Sequence, residues 1–142
     1  MINEEQFYTM KVYELNHSEN LSASMEDYLE MIYRIHIKNN VIRINEIAAN
    51  LHVKPSSASK MVNNLKILGY LINEKYGYIK LTPSGEELGK YLLYRHTVIN
   101  RFLCILNNTD NELDQAEKIE HFLNRNTIKN LDKLTGKLEM YI

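Results

Sequence analysis

The chain has one cysteine, Cys104, among its 142 residues, so it can form no internal disulfide. Cys104 lies in the run Phe102–Leu106, where a thiol reads as a small buried hydrophobe. That run is the longest apolar stretch and falls far short of the ~20 residues of a membrane-spanning helix. The first residues, including Asn3, Glu4 and Glu5, lack the basic start and apolar stretch of a secretion signal. A cytoplasmic location with no membrane partner is therefore expected. Glycine is sparse, at 5 residues, and forms no phosphate-cradling loop, while no activated nucleophile is apparent, so nothing supports an enzyme reading. What the chain does have is 44% hydrophobic content, enough to build one real core and to exclude disorder throughout.

No charge of one sign dominates, since 17 basic and 18 acidic side chains leave a net −1. The balance conceals a gradient. Residues 43–80 carry Arg43, Lys54, Lys60, Lys66, Lys75 and Lys80 against only Glu46 and Glu74. Within that basic stretch Ile44, Ile47, Ala48 and Leu51 have helical spacing, with Asn45 as a candidate N-cap, and His52–Lys54 make a break. Pro55 then suits the first turn of a second helix that Gly69 closes. Ala58, Met61, Val62, Leu65 and Leu68 share one face of it, and Ser56, Ser59, Lys60 and Asn63 share the other. Two short helices joined by a tight turn make a helix-turn-helix.

Tyr70–Lys75 and Tyr78–Thr82 are β-prone and flank Tyr76 and Gly77, which predicts a hairpin and so a winged helix. Small hydroxyls beside a lysine let the second helix approach the major groove of duplex DNA, contacting base edges or phosphates. DNA binding is therefore expected over use of the same fold for protein contact.

Thr82 and Pro83 start a helix predicted to reach Leu106, with Leu88, Leu92, Ile99 and Leu103 in one stripe. His96 falls inside that stripe, as a core residue or a metal ligand. After a polar loop at 107–111, Glu117, Glu120 and His121 recur at i, i+3, i+4, spacing that fits either one ion's ligand face or a solvated pair on a helix reaching about Leu123. Ile128, Leu131, Leu134 and Leu138 form a last amphipathic segment with little of its own domain left to cover, a candidate dimer surface. Upstream, Met25, Tyr28, Leu29, Ile32 and Ile35 predict a helix from which Asp27 and Glu30 project together, with Glu30–Arg34 as the alternative surface pair. The N-terminal stretch 1–23 includes Phe7, Met10, Val12, Tyr13 and Leu15, which suit either an extra helix or a mobile extension.

SMEDYLEMIY, KPSSASKMV, NEKYGYIKLTPSGEELGKYLLYRH and EKIEHFL, in that order and spacing, resemble the manganese transport regulator branch of the diphtheria toxin repressor family over residues 24 to about 135. The resemblance implies a mainly α fold: an extension at 1–23, a winged helix-turn-helix at 24–82, and a helical metal-binding and dimerisation domain at 83–142 whose linking helix is 83–106. Asp27, Glu30, His96, Glu117, Glu120 and His121 are the metal ligands it implies, with the backbone carbonyl of Lys118 as a further candidate. For DNA it points to Ser56, Ser57, Ser59 and Lys60, to which the reading of the two helices and wing adds Pro55, Asn63, Lys75 and Lys80.

The function so implied is a repressor of metal-homeostasis genes, a homodimer on palindromic double-stranded operator DNA with divalent metal as corepressor. Four carboxylates and two imidazoles without a thiolate suit Mn²⁺, two ions per subunit, with Fe²⁺, Co²⁺, Cd²⁺ or Zn²⁺ as substitutes. Iron-responsive relatives tend to carry Met at the position of Asp27 and Cys at that of Glu120, so these residues point to manganese. The remaining readings are an iron-responsive regulator of the same family and a winged helix sensing a small organic ligand. The chain also ends at Ile142 without the further helix or small barrel of longer relatives, so a reduced dimer surface is expected.

Overall fold

The computed structural model describes residues 21–39 and 41–142; the hydrophobic residues of the N-terminal stretch, Phe7 to Leu15, lie outside them. Helix α1 (Ala23–Asn39) starts where the Ser22 hydroxyl accepts the Met25 N–H at 3.1 Å, and it buries Tyr28, Leu29, Ile32 and Ile35 as its spacing predicts. Helix α2 (Ile44–Leu51) begins one residue before its expected cap. Arg43 is the capping position, without a side-chain capping bond, and Asn45 is an exposed helical residue. Ile44 joins the helix because it packs on the core while the Ile47 N–H reaches the Arg43 carbonyl at 3.1 Å. His52, at φ 56°, ends α2 in the left-handed region.

Pro55 opens α3 (Pro55–Ile67), where its missing N–H costs nothing. Ala58, Val62 and Leu65 are fully buried, whereas Leu68, expected on the same face, has already left the helix and is 38% exposed. Gly69 at φ 85° makes the turn. The wing pairs β1 (Leu71–Asn73) with β2 (Ile79–Leu81), Leu71 opposite Leu81 and Asn73 opposite Ile79. Its strands are shorter than predicted. The connection is a 3₁₀ turn at Lys75–Gly77 with Tyr76 at φ 66° and Gly77 at φ 76°, so Lys75 belongs to the turn. Ile42 adds a bridge on the other side of Ile79, a contact that one residue cannot announce through periodicity.

Helix α4 (Pro83–Asn107) is the spine. Thr82 caps it, accepting the Gly85 N–H at 3.1 Å and donating to the Gly69 carbonyl at 2.7 Å, which ties helix to wing. Leu92 belongs to a core formed with α1, α2, α3 and the wing. Val98, Ile99 and Leu103 belong to a second core with Ala116 and Ile128. The stretch between them, Arg95 and His96, is buried at the seam of the two cores.

Asn108 at φ 53° ends α4, and α5 (Leu113–Ile119) follows. The α-helix does not continue to Leu123, because Glu120–Phe122 tighten into a 3₁₀ turn. Helix α6 (Arg125–Glu139), capped by Asn124, packs back on α4. Ile128 is fully buried there, and Arg101 on α4 reaches Asp132 at 2.9 Å and Glu139 at 3.0 Å. The expectation that this segment has little of its own domain to cover is thus corrected for Ile128 and Leu131; Leu134 remains 46% exposed.

Candidate metal centre

Four elements converge at the seam. Helix α1 brings Asp27 and Glu30, α4 brings His96, α5 brings Glu117, and the 3₁₀ turn brings Glu120 and His121. They line or adjoin a cavity of about 260 Å³ closed on its apolar side by Leu51, Met31 and Leu113. Ligand atoms of Glu30, His96, Glu117 and Glu120 all lie within 4.8 Å of one another, as do those of Asp27, Glu120 and His121. Glu120 is common to both groups. The change from α-helix to 3₁₀ turn at Glu120 accompanies the division of the i, i+3, i+4 face: Glu117 stands against His96 and His121 against α1. Lys118 lies in the last turn of α5, where carbonyls run out of helical partners, and its side chain is held outward by Asp114 at 3.2 Å.

Close polar contacts aim these groups. His96 Nδ1 lies 2.8 Å from Glu120 Oε2 and 3.3 Å from Glu117 Oε1. His121 Nε2 lies 3.0 Å from Asp27 Oδ1 and 3.7 Å from Glu120 Oε1. Glu120 is fully buried, and among the described residues its Oε1 has no hydrogen-bond partner. Such an oxygen is costly unless something meets it.

The ionisable groups form an electrically crowded site. Burial and then the Glu120 charge push the Glu30 carboxyl up to about 7, with Arg34 opposing. Burial, followed by the Glu120 charge, also raises Glu117. The Glu120 hydrogen bond raises His96 despite burial. For His121 burial pulls downward, but the hydrogen bonds and charges of Asp27 and Glu26 outweigh it and hold the imidazolium to about 10. Hard oxygen donors, two ring nitrogens and an orphaned buried oxygen fit a divalent cation.

Three neighbours were not picked out as part of the centre. Glu26 touches His121, Arg95 binds Glu26, and Arg34, expected only in a surface pair, lines the cavity while it binds Glu30 at 2.9 Å. Arg95 carried a readable signal: with Leu92, His96 and Ile99 it completes an i, i+3, i+4, i+7 stripe, so a guanidinium had to be buried.

Away from the seam, Pro55, Ser56, Ser57, Ser59, Lys60 and Asn63 are all exposed on α3, with no acidic side chain in that helix. Lys75 and Lys80 are exposed on the wing, Lys80 beside Glu74 at 3.4 Å.

Among the described residues no helix is long and apolar enough to cross a membrane. Residues 20–79 match the model of the iron dependent repressor N-terminal DNA binding domain, and residues 82–141 match that of the iron dependent repressor metal binding and dimerisation domain. The chain is 43% identical over 119 residues to the HTH-type transcriptional regulator MntR of Bacillus pumilus, covering 83% of each. It is 40% identical over 119 residues to the MntR of Bacillus subtilis, covering 83% of this chain and 84% of that one. Among solved structures, the manganese regulator SloR superposes with a TM-score of 0.70 at 28% identity, over 79% of this chain and 53% of that one. The metal-dependent transcriptional regulator MtsR gives 0.71 at 28% identity, over 80% and 54%. This chain spans about half the length of those two crystallised proteins. With both halves matched in order, the chain belongs to the iron-dependent repressor family of DNA-binding transcriptional regulators.

Proposed function

We propose that the protein is a manganese-dependent repressor whose two cation sites share Glu120. The observation that carries this reading is the pair of ligand clusters meeting at one buried, unsatisfied carboxylate oxygen between the winged helix and the C-terminal helices. Glu30, His96, Glu117 and Glu120 would hold one ion; Asp27, Glu120 and His121 would hold the other. The backbone carbonyl of Lys118, placed in the last turn of α5, is a further candidate donor to either. When bound, divalent cations supply the positive charge that these crowded carboxylates lack. The relatives named MntR and the manganese regulator SloR support manganese as the corepressor metal. The donor set supports it too, with oxygen and imidazole ligands and no thiolate.

Asp27 and Glu30 sit on the first helix of the winged domain, and Glu117 and Glu120 lie beyond the linking helix. Ionised and unneutralised, they repel across the seam and loosen α1 from α5. Neutralised, they tie α1 to α5 and narrow the orientations that each winged helix samples. A homodimer so fixed would place two copies of α3 about 34 Å apart, one turn of duplex, on a palindromic operator. Ser56, Ser57, Ser59 and Lys60 would contact base edges or phosphates, with Pro55 and Asn63 at the same face and Lys75 and Lys80 on the wing. Metal and operator must then tighten each other equally, by a coupling typically about 1–3 kcal/mol.

The test is fluorescence anisotropy with a promoter-derived duplex library, first with excess chelator and then with Mn²⁺, at fixed salt. Sequence-selective binding only with Mn²⁺ is expected. Equal binding in both conditions would remove the metal switch and leave a winged helix responsive to something else.

A further inference from the structure

The Glu26–Arg95 pair lies beside the proposed ligands without belonging to them. Arg95 is on α4 and its side chain is 5% exposed; Glu26 is on α1, at 14%. Two terminal nitrogens of the guanidinium approach the two carboxylate oxygens, each at 3.3 Å. A buried arginine needs such a partner, and the arrangement uses both Glu26 oxygens. One of them, Oε1, also lies 2.9 Å from Nδ1 of His121. Arg95 approaches the same Nδ1 at 3.4 Å, but a guanidinium only donates and a carboxylate only accepts. The shorter contact and the better acceptor both place a hydrogen on Nδ1, directed at Glu26. The ring's other nitrogen, Nε2, then faces Asp27 and Glu120.

From this juxtaposition we infer that Glu26, clamped by Arg95, is the positioning residue that keeps Nδ1–H of His121 turned away from the cation site and so presents Nε2 to the metal. The inference rests on the proposed function, because it concerns how a proposed ligand is aimed. Glu26 is not a further ligand: its charge is already met by Arg95, and its oxygens point at Arg95 and the far side of the imidazole. Ring orientation fixed by a carboxylate on the remote nitrogen is a general device for raising the basicity and order of a metal-ligating histidine. Here the pair also spans α1 and α4, so His121 is aimed only when those helices are docked.

The experiment compares wild type, Glu26→Gln, and the double variant Glu26→Met/Arg95→Met. The double variant removes the buried ion pair as a unit and leaves no lone charge, so the fold is retained, checked by the melting temperature of metal-free protein. Mn²⁺ and Zn²⁺ affinities are measured by calorimetry, and the protonated ring nitrogen of His121 is identified in the diamagnetic Zn²⁺-loaded protein by long-range ¹H–¹⁵N correlation. Wild type should show the proton on Nδ1. The double variant should bind Zn²⁺ and Mn²⁺ about 10–100-fold more weakly, the loss typical of removing such a partner. Glu26→Gln, which keeps an acceptor oxygen, should recover most of that loss. Affinities within twofold of wild type for the folded double variant would overturn the inference while leaving the proposed metal sites intact, as would a wild-type proton on Nε2. Failure of wild type itself to bind either metal would overturn the proposed function and this inference with it.

Discussion

Arg34 donates two hydrogen bonds to a single oxygen of Glu30, from Nε at 3.1 Å and from a terminal nitrogen at 2.9 Å. The pair is an i, i+4 couple on α1, yet Glu30 is buried and Arg34 lines the cavity that Asp27, His96 and Glu117 also line. A permanent cation therefore stands where divalent cations are proposed to enter. Its side chain is 35% exposed, so solvent screens much of its field and leaves about 1 kcal/mol of repulsion toward a metal ion. Arg34→Ala should tighten Mn²⁺ binding roughly fivefold while lowering the melting temperature of the metal-free protein, since Glu30 loses its partner. Calorimetry and thermal denaturation of the variant check the two directions, and weaker metal binding would show that Arg34 instead organises Glu30 for the ion.

The raised acid–base groups give the metal-free protein a pH dependence of definite sign. Glu30 rises from 4.5 to about 7 and His121 from 6.5 to about 10, with His96 displaced the same way. The folded state thus holds more protons than the unfolded state across this range. Their contribution is fully present below the unfolded values and is lost as pH climbs through the folded ones. Between pH 5.5 and 8.5 the metal-free protein should become steadily less stable. Cation binding, which must displace the same protons, should strengthen, so the rise in melting temperature on adding Mn²⁺ should be larger at pH 8.5 than at 5.5. Denaturation curves with chelator and with Mn²⁺ at the two pH values test both slopes.

The amino-acid pattern made the helix-turn-helix legible because α2 and α3 each bury one face and expose another, and a period of 3.6 survives in such helices. Pro55 and Gly69 mark the ends of α3 for local steric reasons that need no tertiary context. Asn45 misled because a good capping side chain was available, while packing of Ile44 moved the start of α2 upstream. Ile42 was invisible, since one bridging residue has no period. At the candidate site the spacing of Glu117, Glu120 and His121 announced a shared face. The division of that face between two clusters depends on a 3₁₀ turn and on which helices lie opposite, and neither is encoded locally. Glu26 illustrates the same limit: its role depends on Arg95 and His121, 69 and 95 residues away along the chain.

Gly85 supplies a separate test of how the wing is joined to α4. A Cβ at that position would lie 2.0 Å from the carbonyl oxygen of Tyr70 and 3.2 Å from Leu81, so backbone would have to move. The Tyr70 carbonyl accepts the Thr82 N–H at 3.1 Å, just where the wing turns into the linking helix. Gly85→Ala should cost about 1–3 kcal/mol as an overpacking substitution and weaken DNA binding through displacement of the wing. Chemical denaturation measures the loss, and a stability equal to wild type would mean that this junction is looser than the close approach implies.

On the nucleic-acid side the sharpest expectation concerns Lys60. It is exposed on α3 beside Ser56, Ser57 and Ser59, with no acidic residue in the helix to neutralise it. A lysine bound to phosphate releases about one counterion, so Lys60→Ala should weaken Mn²⁺-dependent operator binding and reduce the slope of log K against log salt by about one per subunit. Lys80, already beside Glu74 at 3.4 Å, should give a smaller change when replaced. Because the cation clusters lie in the seam between α1, α4 and α5 and do not include α3, Mn²⁺ affinity of the free Lys60→Ala protein should stay within about twofold of wild type, a difference of roughly 0.4 kcal/mol. Anisotropy titrations over a salt series, paired with calorimetry of the free variant, separate the two effects. Loss of metal affinity together with DNA affinity would place Lys60 in contact with the metal centre, contrary to the geometry that keeps α3 on the outer face.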